Sequence, residues 1–316
     1  MNARSVTVIL GLLVGLVGTT VRADDGVSLG FKLAKGEKLI YRAKSEMKQT
    51  QTIMGQALEN ELNTEAVSSF TVDDVDEKGN FKLTVKGERL KVKAKFGPLG
   101  DYVFDSQSTE RDKSSMLGAA VTPLFERLAT AMYQATVSPA GEVVELKGYA
   151  DLVRDLLADN PLAAQFSGGG TDEAAKQQLQ EQFPKLSKSA IKVGEAWEVP
   201  SELTLPGVGK TRGKSVYRYV GPDTVNGRKT AKIEVGGEMS MELDIDMGGA
   251  KVTGTIATTA VNGVIQFDIE KGRVLSSEST VALGGDLNVA AGGMNIPVRN
   301  DQKMTHKSEL LDKLPE

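Results

Sequence analysis

The sequence predicts a mainly β protein with a few helices inserted between two β regions. Long stretches in both halves of the chain alternate apolar and polar residues with a period of two, which is typical of strands with one buried face. Near the middle, the spacing of apolar residues changes to that of amphipathic helices. We therefore expect long antiparallel strands that form a curved sheet, an open barrel or two packed sheets, with about three helices between them.

Composition and periodicity divide the chain into five segments. The expected segments are a signal peptide (1–23), an N-terminal β region (24–115), a helical middle with a short hairpin (116–190), a C-terminal β region (191–310) and a polar tail (311–316).

The first residues have the pattern of a secretory signal peptide. Arg4 precedes an uncharged, mostly apolar stretch (6–17), and a small-residue exit ends at Ala23, before Asp24. A membrane anchor is the alternative, but the uncharged stretch 5–21 has 17 residues, fewer than the roughly 20 mostly apolar residues that span a bilayer. We expect cleavage near Ala23 and export to the periplasm or the cell exterior. No later segment is apolar enough to span a membrane, so we do not expect the mature chain to do so.

The charge of the mature chain argues against some partners. Without Arg4 and Arg22, 36 of the 38 basic residues remain against 42 acidic ones, which gives a net charge of −6. Nucleic acids and anionic membrane surfaces bind clusters of Lys and Arg, so we expect neither as a partner. The chain has no cysteine, which excludes disulfides and a lipoprotein anchor.

The N-terminal β region begins with two long strands. Residues 39–53 alternate in hydrophobicity, and the chain returns along 58–72 after a turn at Gly55. Residues 76–80 have the composition of a turn. In the third strand the alternation shifts phase at Gly87, which predicts a β-bulge or a tight turn.

Three helices are expected in the middle segment. The first is predicted to start with Thr122 as its cap and Pro123 in its first turn, the second at Tyr149, and the third at Thr171. Pro184 ends the third helix. Their apolar stripes suit a lid over a ligand, although such stripes more often contact a core.

One strand of the C-terminal region is unusually rich in methionine. Its apolar face is the candidate ligand groove, which consists of Met239, Met241, Leu243, Ile245 and Met247. Methionine suits adaptable apolar surfaces, but an ordinary sheet core is the alternative. The opposite face carries Glu242, Asp244 and Asp246, for which a solvated surface is favoured over a calcium site. The glycine-rich stretch 284–293 is expected to be a loose edge.

No catalytic, cofactor or metal site is predicted. The segment 207–215 resembles a phosphate-binding loop but lacks the required first glycine. His306 is the single histidine, and no Gly-x-Ser-x-Gly elbow accompanies it, so a structural role is favoured. Trp197 is expected to pack at the start of a strand.

Several short motifs follow one another in a particular order along the chain. They are the segments 35–38, 79–83, 102–106, 137–143, 183–184, 192–197, 267–268 and 272–273. This order resembles a family of secreted bacterial proteins of unknown function that is common in planctomycetes. The resemblance implies export and a β-rich architecture with a helical middle, and it implies no activity.

These observations favour a non-enzymatic, exported binding protein with an apolar groove for a lipid-like ligand or an exported envelope protein. A structural or interaction module of the cell envelope is the alternative. A hydrolase that uses two carboxylates is less favoured, because the chain has few aromatic residues for a sugar-binding cleft.

Overall fold

The computed structural model describes residues 26–97, 100–112, 115–149, 151–152, 176, 179–180, 183–205, 208–246 and 249–315. In these ranges the chain is mainly β, with 68% strand. Twelve strands form a single antiparallel sheet that is not closed, which confirms the predicted long antiparallel strands and narrows the predicted alternatives to one open sheet.

The sheet is built almost entirely from neighbours in sequence. Its elements are β1 (Lys38–Ile53), β2 (Gln56–Val75), β3 (Phe81–Phe96), β4 (Asp101–Asp105), α1 (Met116–Ala129), β5 (Met132–Val137), β6 (Val143–Lys147), β7 (Ala196–Leu205), β8 (Gly209–Val225), β9 (Arg228–Asp246), β10 (Ala250–Asp268), β11 (Arg273–Ala291) and β12 (Met294–Leu311). The strand order is β6-β5-β3-β2-β1-β12-β11-β10-β9-β8-β7, and β4 also pairs with β3.

The two β regions join in one sheet because the first long strand pairs with the last. Tyr41 of β1 lies opposite Leu310 of β12, and the pairing continues without a break to Ile53 and Val298. The long strands have 16 to 20 residues, against the usual 5 or 6. The expected bulge is confirmed by a register shift beside Gly87 between β2 and β3.

The glycine-rich stretch of β11 lies inside the sheet and not at a loose edge, contrary to the sequence prediction. β11 pairs with β10 on one side and with β12 on the other. A Cβ atom at Gly285 would lie 2.0 Å from the carbonyl oxygen of Thr255. Gly254 of β10 has a φ of +145°, which a side chain would strain. Glycine is therefore needed here for close approach of neighbouring strands.

The main buried cluster covers one end of the long strands. The segment 27–33 crosses one face of the sheet there, held by hydrogen bonds from Val27 to Ile191 and from Phe31 to Pro139. The Phe31 ring contacts the rings of Phe183 and Phe267, with centroids 5.6 and 5.5 Å apart. We call the sheet face that carries this cluster the inner face and the opposite one the outer face.

Helix α1 covers a corner of the same inner face. Phe125 of the helix packs near Tyr102 and Phe104 of β4 in a second buried cluster. The predicted start of this helix is wrong. Ser115 is the cap, since its hydroxyl accepts a hydrogen bond from the Gly118 amide at 2.8 Å.

The two residues that were expected to start α1 lie inside it. Pro123 is in the helix interior, and the Thr122 hydroxyl is buried. That hydroxyl donates to the Asp112 carbonyl at 2.6 Å and lies 2.8 Å from the Tyr102 hydroxyl. Thr122 therefore ties the helix to β4 instead of capping it.

The described chain forms one helix, not about three. Most of the second and third expected helices lies outside the described residues. Where that segment is described, Leu179 and Phe183 are buried in the main cluster. Residues 149, 151–152, 176 and 179–180 have helical backbone but form no further named helix in the described ranges. In the described ranges no helix is long and apolar enough to cross a bilayer.

Candidate ligand-binding face

On β9 to β12 the inner face is covered at one end of the long strands and largely uncovered at the other, where Val298 and Asn300 of β12 are nevertheless buried. On β9, Ala231 and Ile233 are fully buried, whereas Met239, Met241 and Leu243 on the same face are partly exposed. We call the uncovered apolar half the distal inner face. Its members on β9 to β12 are Met239, Met241, Leu243, Ile245, Val252, Ile256, Val281, Leu283, Leu287, Val289, Ile296 and Met304. None of these side chains belongs to either buried cluster.

The register places four predicted groove residues on the distal inner face. Met239, Met241, Leu243 and Ile245 follow one another on it, and Met247 lies outside the described residues. Met241 faces Ile256 across one strand pairing and Thr211 across the other. All four are partly exposed, whereas a packed sheet core would bury them. Their role in binding stays a prediction.

Glycines flank the large side chains of this face. Met239 lies opposite Gly213, and Leu243 lies between Gly209 and Gly254. Because glycine has no side chain, these cross-strand neighbours do not cover the methionine and leucine. The distal inner face therefore offers apolar side chains separated by shallow gaps, a surface to which a flexible apolar molecule can adapt.

The outer face is charged along the same strands. Glu242, Asp244 and Asp246 point to this side and are exposed, and Asp244 pairs with Lys251 at 2.8 Å. Further ion pairs cross the outer face between neighbouring strands: Lys44–Glu65, Lys48–Glu61, Arg212–Glu202, Arg299–Asp286 and Lys307–Glu278. The described residues contain no group of three or more metal-ligating side chains. The outer face is thus solvated, and the apolar residues concentrate on the inner face.

A short polar network interrupts the inner face on β1, β2 and β12. Asn60 donates to the Gln49 side chain at 3.2 Å, and Gln49 donates to Asn300 Oδ1 at 2.9 Å. Asn300 is only 2% exposed, and within the described chain its Nδ2 has no hydrogen-bond partner. An unpaired buried donor costs stability, so this network is a strained feature of an otherwise apolar face.

A small pocket lies where the covered half of the inner face meets the uncovered half. It has a volume of about 80 Å³. Its lining residues are Tyr41, Ala43, Ala66, Ser68, Phe70, Pro184, Ile265, Val274, Ser277, His306 and Ser308. We call it the His306 pocket, and the distal inner face extends from it.

The geometry of the His306 pocket is set by β1 and β12. Ser45 lies directly opposite His306, and Ser45 Oγ is 2.9 Å from Nδ1 of the ring. Burial lowers the pKa of His306 below its ordinary value, because the loss of hydration disfavours the charged ring. The Tyr41 hydroxyl donates to the Val274 carbonyl at 2.8 Å and fixes that ring in the pocket wall.

No pattern in the sequence selects Ser45 or assigns His306 more than a structural role. A single histidine inside a strand carries little information until the pairing of the first and last strands is known. The alternation of β1 already placed Ser45 on the face of Tyr41 and Met47, which is the one signal that could have found it.

Two other sequence features have structural explanations. Residues 209–215 belong to β8, where they pair with β7 and β9, so their amides do not form a phosphate-binding loop. Trp197 stacks on Tyr217 with ring centroids 5.3 Å apart, and its Nε1 donates to the Lys185 carbonyl at 2.8 Å. Trp197 therefore packs at the beginning of β7.

Comparison with known proteins identifies a family of unknown function and distant structural likenesses. A model for a family of unknown function (DUF6263) matches residues 78–274. No curated protein matches the chain. A structure titled "Lipid-protein interactions in lipovitellin" is similar at a TM-score of 0.40 and 14% identity, over 90% of this chain and 26% of that chain. An outer membrane channel from Pseudomonas putida F1 is similar at a TM-score of 0.24 and 7% identity, over 89% of this chain and 97% of that chain. The chain thus spans about a quarter of the lipovitellin chain, and neither likeness supports a functional argument.

Proposed function

The chain belongs to a family of unknown function (DUF6263), and we propose that it is an exported, non-enzymatic protein that binds a lipid-like molecule on the distal inner face. One observation carries this proposal. A single-layer sheet keeps its charged residues on one face and leaves a long row of methionine, leucine, isoleucine and valine side chains on the other face partly exposed. Contiguous exposed apolar surface of this kind marks binding sites in soluble proteins.

The length of the inner face suits an extended alkyl chain. On β9 the distal inner face runs from Met239 to Ile245, which is seven residues, or about 20 Å at roughly 3.3 Å per residue. One leaflet of a bilayer has a hydrocarbon thickness of about 15 Å, half of the roughly 30 Å core. The face can therefore accommodate a complete acyl chain lying along the strands. Each methylene group that leaves water contributes up to about 0.8 kcal/mol to binding.

The absence of enzymatic activity is part of the proposal. Ser45 and His306 are placed like a nucleophile and a base, but no acidic side chain among the described residues is hydrogen-bonded to the ring. Ser45 also lies in a strand that pairs on both sides, with Thr64 and with His306. The backbone amides of β1 are therefore used in the sheet, and an oxyanion hole has no donors there.

Export is proposed from the N-terminal residues alone. Arg4, the uncharged stretch 6–17 and the small residues before Asp24 form the pattern of a cleaved signal peptide. A protein that carries an apolar molecule through the aqueous space of the cell envelope needs a surface of this kind to shield that molecule from water.

Native mass spectrometry of the protein purified from its own envelope tests the proposed function. We expect an added mass at a fixed stoichiometry, which extraction into organic solvent removes and identifies as a lipid. A protein that is free of ligand after gentle purification, and that takes up no lipid from vesicles, would contradict the proposal. If the protein instead co-purifies with another envelope protein and without lipid, the result would favour the alternative, an interaction module of the cell envelope.

A further inference from the structure

The His306 pocket joins the distal inner face to the buried core, and its size limits what it can hold. Its volume of about 80 Å³ is smaller than a complete long alkyl chain needs. A cavity volume of about 10–15 Å³ is enough to hold one water molecule, so the pocket has room for a group of about five to eight heavy atoms. It is therefore suited to the end of a molecule whose remainder lies on the distal inner face.

Four polar groups line this pocket with hydrogen-bonding capacity left over. Nδ1 of His306 is engaged by Ser45, which leaves Nε2 of the ring. Within the described chain, the hydroxyl groups of Ser68, Ser277 and Ser308 have no side-chain hydrogen-bond partner, although all three line the pocket. Hydroxyl groups donate and accept, and Nε2 does one or the other according to the tautomer.

The pocket does not suit a charged end group. None of its lining residues is an acid, a lysine or an arginine. A carboxylate or phosphate that entered it would lose its hydration without gaining a cation, which is unfavourable. Burial also lowers the pKa of His306, so the ring is neutral at pH 7 and does not act as that cation.

We infer that the His306 pocket binds the hydroxyl group of an uncharged lipid alcohol, whose hydrocarbon part lies along the distal inner face. This inference rests on the proposed function and adds the class of ligand to it. A hydroxyl group both donates and accepts a hydrogen bond, so it matches the serine hydroxyls and either tautomer of His306. Ala43, Phe70 and Ile265 surround its first carbon atoms with apolar surface.

NMR of the histidine ring tests this inference. The chain contains a single histidine, so every imidazole signal comes from His306. The mature chain is prepared without a histidine tag, and the imidazole signals are followed by NMR while 1-hexadecanol, hexadecane or hexadecanoate is added from cyclodextrin. We expect 1-hexadecanol to shift the His306 signals and hexadecane to bind without shifting them. We expect the alcohol to bind about two- to tenfold more tightly than hexadecane, the range that one hydrogen bond supplies.

The outcomes separate this inference from the proposed function. Equal affinities for the alcohol and the alkane, with unmoved His306 signals, would overturn the inference and leave lipid binding intact. Tightest binding of hexadecanoate would also overturn it. Failure of all three probes to bind would overturn the proposed function as well. The variant His306→Phe is expected to lower the affinity for the alcohol to that for hexadecane, and the comparison of probes on the unchanged protein does not depend on its folding.

Discussion

Ile233 and Met241 lie on the same face of β9, eight residues apart, yet the first is fully buried and the second is partly exposed. From Ile233 to Met241, β9 keeps its alternation of faces, and its register with β8 does not shift. The difference comes from what lies above the sheet, since the segment 27–33 and its neighbours cover only one end of the inner face. One strand therefore has both a buried half and a partly exposed half.

A carboxylate at position 241 should abolish binding of alkyl probes. The variant Met241→Asp places an aspartate on the distal inner face, where a bound alkyl chain would have to desolvate it. The matched control is Ser240→Asp, which puts the same group on the outer face of the same strand, opposite Arg212. We expect at least a tenfold loss of hexadecane affinity for the first variant and little change for the second, measured by native mass spectrometry. Equal losses would contradict the assignment of the face.

The covered and uncovered halves should also differ in their contribution to stability. Phe267 is fully buried and contacts Phe31, so we expect Phe267→Ala to lower the free energy of unfolding by about 3–5 kcal/mol. Met241 is partly exposed, and Met241→Ala should cost less than about 1 kcal/mol. Urea denaturation with unchanged m values measures both. A large loss for Met241→Ala would mean that the distal inner face is a packed core.

The β architecture could be predicted from sequence because it depends on local alternation. Residues such as Tyr41 and Glu242 take their face from their own strand, and the phase shift at Gly87 marks the bulge. The candidate groove residues could be selected in the same way. Pairing of β1 with β12 joins residues more than 200 positions apart, and no local pattern encodes it. The Ser45–His306 contact follows from that pairing, so the sequence could not reveal it.

The wrong prediction of a loose edge at residues 284–293 has a specific physical cause. Glycine is usually a sign of weak or irregular strands, but in β11 it permits close contact with the backbone of β10. The same local composition suits a loose edge and a tightly packed central strand. Which one occurs depends on the neighbouring strand.

Two adjacent glycines of β11 should respond oppositely to alanine. A Cβ at Gly285 would lie 2.0 Å from the backbone oxygen of Thr255, which cannot move without disturbing the sheet. We expect Gly285→Ala to lower the free energy of unfolding by about 1–3 kcal/mol. At Gly284 the nearest atoms are the ends of the flexible Arg299 and Asp301 side chains, at 3.0 Å. Gly284→Ala should be neutral or slightly stabilising, and equal losses in urea denaturation would refute the proposed close approach.

Signal-peptide cleavage is expected to leave Asp24 at the N-terminus of the exported protein. The mass of the intact protein recovered from the envelope measures this directly. A substitution of the exit residue, Ala23→Asp, should block processing, because signal peptidases require a small residue at this position. Recovery of an uncleaved chain in the membrane fraction of cells that make the unchanged protein would favour the anchor.

Protonation of His306 should destabilise the fold below about pH 6.5, the ordinary pKa of the side chain. Burial lowers the pKa of the folded ring, so between the folded and unfolded pKa values the unfolded chain binds more protons. The free energy of unfolding of the unchanged protein therefore decreases as the pH is lowered through this window, by at most about 1.4 kcal/mol per pH unit.

The variant His306→Gln keeps a polar side chain opposite Ser45, but this side chain does not titrate. The carboxylates that titrate at lower pH are the same in the variant and the unchanged protein, so their effect cancels when the two are compared. The difference in their free energies of unfolding, measured in urea from pH 7.5 to 5, should change in favour of the variant as the pH falls. A constant difference would show that the ring is as easily protonated in the folded protein as in the unfolded chain, and the histidine would then not be buried.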